Sequence, residues 1–136
     1  MLERVGPSVW VEAWRARLGL TQAEFDGAVA CVDPTGLRKT GGFTEAQMRS
    51  SYAEALRLSA AQADELTADI WDWYCGELDE QLMSYVRTLR GRVRTGIVSN
   101  SADGARREES RRYGFPDLVD DNVYSNEVGL AEPDPA

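Results

Sequence analysis

The sequence contains no histidine, and this absence removes several kinds of catalytic site. Without an imidazole, the chain cannot build a Ser-His-Asp triad, a Cys-His pair or a histidine-ligated zinc site. Any chemistry must therefore use carboxylates, hydroxyls, arginine or lysine. A hard cation such as Mg²⁺ is the metal that carboxylate and hydroxyl oxygens favour.

Lysine is almost absent as well, since Lys39 is the only lysine among 15 basic residues. The 23 acidic residues outnumber the basic ones and give a net charge of −8. Affinity for nucleic acids and for anionic membrane surfaces comes from clustered Lys and Arg. We therefore expect neither a nucleic acid nor a membrane as a partner.

Cysteine and long apolar runs are scarce too. Cys31 and Cys75 are the only cysteines, and their spacing fits neither a CxxC motif nor a disulfide framework, so we predict two buried thiols and a reducing, cytoplasmic location. Every apolar run is far shorter than the roughly 20 residues that a membrane-spanning helix needs. The amino-terminal residues lack the order of a secretory signal.

Signals for helices fill the first two thirds of the chain. Three capping boxes predict helix starts near residues 22, 45 and 60: Thr21 with Glu24, Thr44 with Gln47, and Ser59 with Gln62. Apolar periodicity adds a helix after Ser8 and another over 78–90, while 33–42 has the composition of a loop. Four tryptophans fall at helical spacing among aliphatic residues and are predicted to be core: Trp10, Trp14, Trp71 and Trp73.

The pattern changes after Gly91. Residues 92–100 and 121–125 are predicted to be strands, with a polar helix over 102–113 between them. Strand, helix, strand in this order predicts a parallel pair, which needs cover on both faces. We interpret the charges on that helix, Arg106, Arg107, Arg111 and Arg112 with Glu108 and Glu109, as a solvated face.

Two segments of this carboxyl-terminal part have a recognisable pattern: "IVSNS" (97–101), an apolar strand that ends in serine, and "SNEVGLAEPDP" (125–135). They resemble the second motif and the third motif, S-x-E-x-G-x-x-K-P-D-P, of the haloacid dehalogenase (HAD) superfamily of hydrolases with a helical cap. The resemblance implies an α/β, HAD-like fold with a helical-bundle cap and an incomplete Rossmann-like parallel core. Residues 1–90 would be the cap and linking helix, and 91–136 the partial core.

The same resemblance implies where an anionic substrate would bind. Ser99 and Asn100 would contact its phosphoryl or other anionic group at the end of a strand, where α/β sheets bind ligands. Glu132 stands where the family carries a lysine, and the only lysine here, Lys39, lies in the predicted loop of the cap. The family's nucleophilic aspartate, in a D-x-D pattern, and its acidic Mg²⁺-binding motif have no counterparts in the sequence, so we expect no catalytic residue and no metal ligand.

Three functional interpretations stay open. The chain is expected to be a fragment of, or a degenerate relative of, a HAD-like hydrolase, cut at both ends and inactive alone, whose parent hydrolyses a phosphate ester or a haloacid through an aspartyl intermediate with Mg²⁺. Alternatively, it is a helical interaction or regulatory module that pairs with a complementing chain or with its own copy through an open sheet edge. The third possibility is an active enzyme with further sequence upstream and downstream.

Overall fold

The computed structural model of the protein describes residues 2–133, which form eight α-helices, one 3₁₀ turn and four short strands. The helices are α1 (Val9–Leu18), α2 (Gln22–Ala30), α3 (Glu45–Ala55), α4 (Ala60–Cys75), α5 (Glu80–Leu89), α6 (Ala105–Tyr113), α7 (Phe115–Leu118) and α8 (Ser125–Val128). The strands are β1 (Glu3–Arg4), β2 (Glu77–Leu78), β3 (Gly96–Ser99) and β4 (Asp121–Tyr124), and the 3₁₀ turn is Leu37–Thr40.

All three predicted capping boxes form. At Thr21, Thr44 and Ser59 the hydroxyl accepts the backbone N–H three residues on, and the side chain at that position accepts the N–H of the cap residue. Two orphan donors per helix are thereby satisfied. The helices begin at residues 22, 45 and 60, so the predicted starts are confirmed.

The first four helices share one apolar core. Trp14 is 2% exposed, and its indole N–H donates to Asp69 over 2.7 Å. The other fully buried members of this cluster are Phe25, Val32, Met48, Tyr52, Leu56 and Leu66. Trp71 is buried too, in a separate cluster with Ala105 and Tyr124. Cys75 is buried as predicted, but the prediction for Cys31 is wrong, because this residue ends α2 at an exposed position.

The parallel pair predicted after Gly91 is present but shorter than predicted. β3 pairs with β4 in parallel, from Gly96 opposite Asp121 to Ser99 opposite Tyr124. The helix between them begins at Ala105 rather than 102, because Gly104 has a φ of 95° and caps the helix. The sequence did not predict the short helix α7 over Phe115–Leu118.

A second pair of strands was not predicted. β1 lies antiparallel to β2, with Glu3 opposite Leu78. Gly76 has a φ of 58°, and a Cβ there would overlap the carbonyl of Arg4, so the close approach of these segments requires glycine. Helix α5 therefore begins at Glu80, two residues later than predicted, with the Asp79 side chain accepting the N–H of Leu82 over 2.9 Å.

Among the described residues, every helix is too short or too polar to cross a lipid bilayer.

Candidate functional site

The candidate site lies where the two parallel strands end. Ser99 is the last residue of β3, and Tyr124, its register partner, is the last residue of β4. The next residues along the chain, Asn100 and Ser125, therefore leave the sheet at the same end, where the carboxyl ends of the strands lie. Open α/β sheets bind ligands at this end.

Asn100 joins the two segments that carry the motif-like sequences. Its side-chain N–H donates to the carbonyl oxygen of Glu132 over 2.8 Å, and its Oδ1 accepts the N–H of Glu132, also over 2.8 Å. The side-chain amide thus uses its donor and its acceptor on the backbone of a single residue. The structure brings the predicted residues Asn100 and Glu132 together across 32 residues of chain. Asp134 and Pro135, the last predicted residues of the third motif-like segment, lie outside the described residues.

A second link lies one residue further along. The N–H of Ser101 donates to Ser125 Oγ over 2.9 Å, and the hydroxyl of Ser101 donates to Asn126 Oδ1 over 2.8 Å. Ser101 and Ser125 are both buried, so the bond between them is shielded from water. The polar groups at the carboxyl end of the strands thus hold the segment after β3 against the segment after β4.

Two cavities meet at Asn100. The larger, of about 760 Å³, follows β3 from Thr95 to Asn100 and includes Ser99 together with the carboxylates of Glu3 and Glu109. The smaller, of about 220 Å³, has Asn100, Ser101 and Ala102 on one side and Arg38 and Lys39 on its wall. The larger cavity therefore carries acidic side chains, and the smaller one carries basic side chains.

Glu109 is the residue that the sequence interpretation misplaced most. It was assigned to a solvated helix face, but it is 1% exposed. Its Oε2 accepts the hydroxyl of Tyr124 over 2.8 Å, and its Oε1 has no hydrogen-bond partner among the described residues. Burial raises the pKa of Glu109, although the hydrogen bond from Tyr124 opposes that shift. No local pattern in the sequence reveals this burial, because it depends on Tyr124 of β4 lying against α6.

Glu3 and Tyr74 line the same larger cavity. Burial and the nearby Glu109 carboxylate raise the pKa of Glu3 to about 7. The same two causes, burial first, raise the pKa of the Tyr74 phenol. The sequence offered no signal for either residue, because their proximity depends on the pairing of β1 with β2.

The rest of the charged face on α6 is also more ordered than predicted. Glu108 is 9% exposed and lies within 3.4 Å of guanidinium nitrogens of Arg107, Arg111 and Arg112. Burial acts to raise the pKa of Glu108, but hydrogen bonds from Arg111 and Arg107 outweigh it and lower the pKa. The three arginines belong to α6 itself, so Glu108 orders that face of the helix, whereas Glu109 attaches the helix to β4 through Tyr124.

Glu45 connects the helical bundle to α6. Its carboxylate accepts the indole N–H of Trp71 over 2.6 Å and two N–H groups of Arg107 over 2.8 and 2.9 Å. Its backbone N–H donates to Asp103 Oδ2 over 2.9 Å, at the loop that follows the strand end. The start of α3 is thereby fixed against the candidate site.

The described residues do not fit a metal centre. Within 2–133, no group of three or more His, Cys, Asp or Glu side chains is arranged to hold a metal ion. Mg²⁺ requires oxygen ligands in near-octahedral geometry.

No protein-family model matches the sequence, and no curated protein matches it. Among solved structures, the fold is similar to that of a HAD family enzyme from Bacteroides thetaiotaomicron, crystallised as a magnesium complex. The TM-score is 0.73 at 15% sequence identity, and the match covers 98% of this chain and 67% of that one. Together with the helical bundle and the parallel pair β3–β4, this similarity shows that the chain has the predicted α/β, HAD-like fold.

Proposed function

We propose that this chain provides the helical cap and the Ser99–Asn100 strand end of a HAD-like hydrolase. The parent reaction would be the Mg²⁺-dependent hydrolysis of a phosphate ester or a haloacid. In it, an aspartate oxygen attacks phosphorus or the halogen-bearing carbon, the alcohol or halide leaves, and water hydrolyses the resulting aspartyl intermediate. The substrate would be a small anion, and the enzyme would act in the reducing cytoplasm.

The observation that carries the proposal is the pair of hydrogen bonds between Asn100 and Glu132, both 2.8 Å long. They join the two segments that resemble motifs of that superfamily. The contact lies at the carboxyl end of the strands, where α/β sheets bind ligands. The solved relative is an enzyme in a magnesium complex, which supports Mg²⁺ in the complete enzymes of this fold.

We further propose that residues 1–136 alone do not turn over substrate. The described residues offer no metal-binding cluster, and the sequence has no D-x-D aspartate for the attack. Glu132 also adds a negative charge where a lysine is expected. Two like charges ~4 Å apart at an effective dielectric constant of ~20 repel by about 4 kcal/mol.

The test measures hydrolysis of p-nitrophenyl phosphate and of 2-chloropropionate by the purified chain with Mg²⁺. We expect no turnover above buffer. Turnover that disappears in Ser99→Ala and persists in Ser84→Ala, a matched change at an exposed position on α5, would show that the chain is active alone.

A second arm measures the binding of inorganic phosphate. Glu132→Lys should tighten binding, because it replaces repulsion by attraction at the proposed anion site, whereas Glu54→Lys on the exposed face of α3 should have little effect. Equal gains in both variants would indicate a general charge effect and would contradict the assignment of position 132.

A second candidate function is an interaction module. β3 pairs with β4 on one side only, and the edge away from β4 borders the larger cavity, where Val98 is 62% exposed. Open edges of this kind recruit further strands. The partner would be a second copy of this chain or a complementing chain.

A further inference from the structure

The smaller cavity carries a concentration of positive charge that the rest of the candidate site lacks. Arg38 and Lys39, from the 3₁₀ turn, line a space of about 220 Å³ together with Asn100, Ser101 and Ala102. Lys39 is the only lysine in the sequence, and the sequence analysis placed it in the predicted loop of the cap. The fold places it on the cavity that Asn100 also lines, and the Asn100 side chain binds the backbone of Glu132.

The turn that carries these cations is held in place by specific contacts. Both carboxylate oxygens of Asp33 accept backbone N–H groups, from Leu37 over 2.9 Å and from Arg38 over 3.2 Å. Gly41, just after the turn, has a φ of 77°, and a Cβ there would overlap the carbonyl oxygen of Asn126 in α8. The turn and α8 are therefore in direct backbone contact, and the position of Lys39 follows from the fold.

The remaining polar groups around the cavity already have partners. Asn100 binds the backbone of Glu132, and Ser101 donates to Ser125 and Asn126. The guanidinium of Arg38 lies 3.7 Å from Asp33. Lys39 forms no ion pair within residues 2–133. Among the described residues that line this cavity, the Lys39 ammonium is thus the positive charge without an ion-pair partner.

The opposite walls are apolar and aromatic, and they consist of Met48, Ile70, Trp71, Trp73 and Tyr74. Pockets that combine a mainly apolar lining with a few charged groups bind organic molecules, and the charged groups set their orientation. A flat or branched apolar body fits against these rings, and an anionic head fits beside Arg38 and Lys39.

We propose that this cavity binds a small organic anion, with Lys39 holding its carboxylate or phosphate head and the tryptophan wall holding an aromatic or branched apolar body. Lys39 would then supply, from the helical cap, the positive charge that Glu132 does not. The inference rests on the proposed function in treating this anion as the substrate, but the binding itself requires no hydrolysis.

The test measures the binding of phenyl phosphate and of phenylacetate to the full 136-residue chain by isothermal titration calorimetry at low ionic strength. Inorganic phosphate probes the head without the apolar body, and benzyl alcohol probes the body without the charge. We expect at least one of the two aromatic anions to bind more tightly than both partial ligands.

Three variants identify the charge. Lys39→Met keeps the apolar stem and removes the ammonium, so the affinity for the bound anion should fall at least about tenfold, the lower end of the contribution of a hydrogen bond to a charged group. Lys39→Arg should retain most of the affinity. Arg92→Met, an identical change of net charge at an exposed residue away from the cavity, should leave the affinity unchanged. Lys39 is itself exposed, and circular dichroism confirms that each variant folds.

Several results would overturn the inference: neither aromatic anion binds, Lys39→Met binds as tightly as the unaltered chain, or Arg92→Met loses as much affinity. None of these results bears on hydrolysis. Conversely, turnover by the unaltered chain would contradict its proposed inactivity whether or not Lys39 holds the anion, so the two proposals fail separately.

Discussion

The residues with the most unusual environment are two glutamates beside the strand end. Glu109 is almost fully buried, and Glu3 lies near enough for its pKa to be raised by the Glu109 carboxylate as well as by burial. A carboxyl group in an apolar environment is easier to keep protonated than charged. The folded state therefore retains protons that an unfolded chain would release.

This retention predicts that stability falls as the pH rises from about 4.5 to about 7. The folded-state pKa of Glu3 is about 7 against an ordinary value of 4.5, so in this window the folded chain binds more protons than the unfolded one. The free energy of unfolding then decreases with pH. Urea denaturation should give a higher midpoint at pH 5 than at pH 7.5.

Glu3→Gln should flatten this dependence, because the amide does not titrate. Glu54→Gln, a matched change on the exposed face of α3, should leave the slope as it is. A midpoint that rises steadily from pH 5 to 7.5 in the unaltered chain would show that Glu3 and Glu109 are charged in the folded state.

At the scale of elements, the sequence predicted best where the signals are local. The hydroxyls of Thr21, Thr44 and Ser59 bond within one helical turn, so the helix starts were readable from four-residue patterns. Two-residue strands such as β1 and β2 have no periodicity, and their pairing joins residues 75 apart. The position of Lys39 likewise depends on Gly41 meeting Asn126, which no local pattern encodes.

The candidate site was predictable in part for the same reason. Ser99 and Asn100 could be placed because they end an apolar stretch, and Glu132 because its neighbours resemble a motif. Glu109 could not be placed in this way, because it is buried only when Tyr124 of β4 lies against α6. Contacts between elements, rather than within them, account for the residues that were missed.

The link between α3 and α6 gives a prediction at this scale. Glu45 and Arg107 are joined by two hydrogen bonds of 2.9 and 2.8 Å, and Glu45 also accepts Trp71 Nε1. In a double-mutant cycle with Glu45→Ala and Arg107→Ala, we expect a coupling energy of about 0.5–1 kcal/mol, near the upper end for partly exposed pairs. Urea denaturation of the four chains provides the measurement.

The pair Arg17–Glu65 serves as the reference, because a single hydrogen bond of 2.6 Å joins two exposed side chains on α1 and α4. Its coupling should be smaller, at about 0–0.5 kcal/mol. Equal coupling in both cycles would mean that the bidentate geometry and the Trp71 contact add nothing to the attachment of α6.

For the whole molecule, the decisive feature is the β3 edge that faces away from β4. An unpaired strand edge offers its backbone N–H and C=O groups to another strand. Here the free edge borders a cavity of about 760 Å³ with apolar residues along it. Val98 is 62% exposed at this edge. Among the described residues, no strand covers it.

We therefore expect the purified chain to self-associate as its concentration rises, with light scattering after size-exclusion chromatography giving an increasing mean mass. Val98→Lys should reduce that increase, because a charged side chain at a strand edge opposes pairing with another strand. Val9→Lys makes the same change at the 70%-exposed Val9 on α1 and should leave association intact. A mass that stays monomeric at the highest concentration would exclude self-pairing through this edge. Equal effects of Val98→Lys and Val9→Lys would show that association does not depend on the β3 edge.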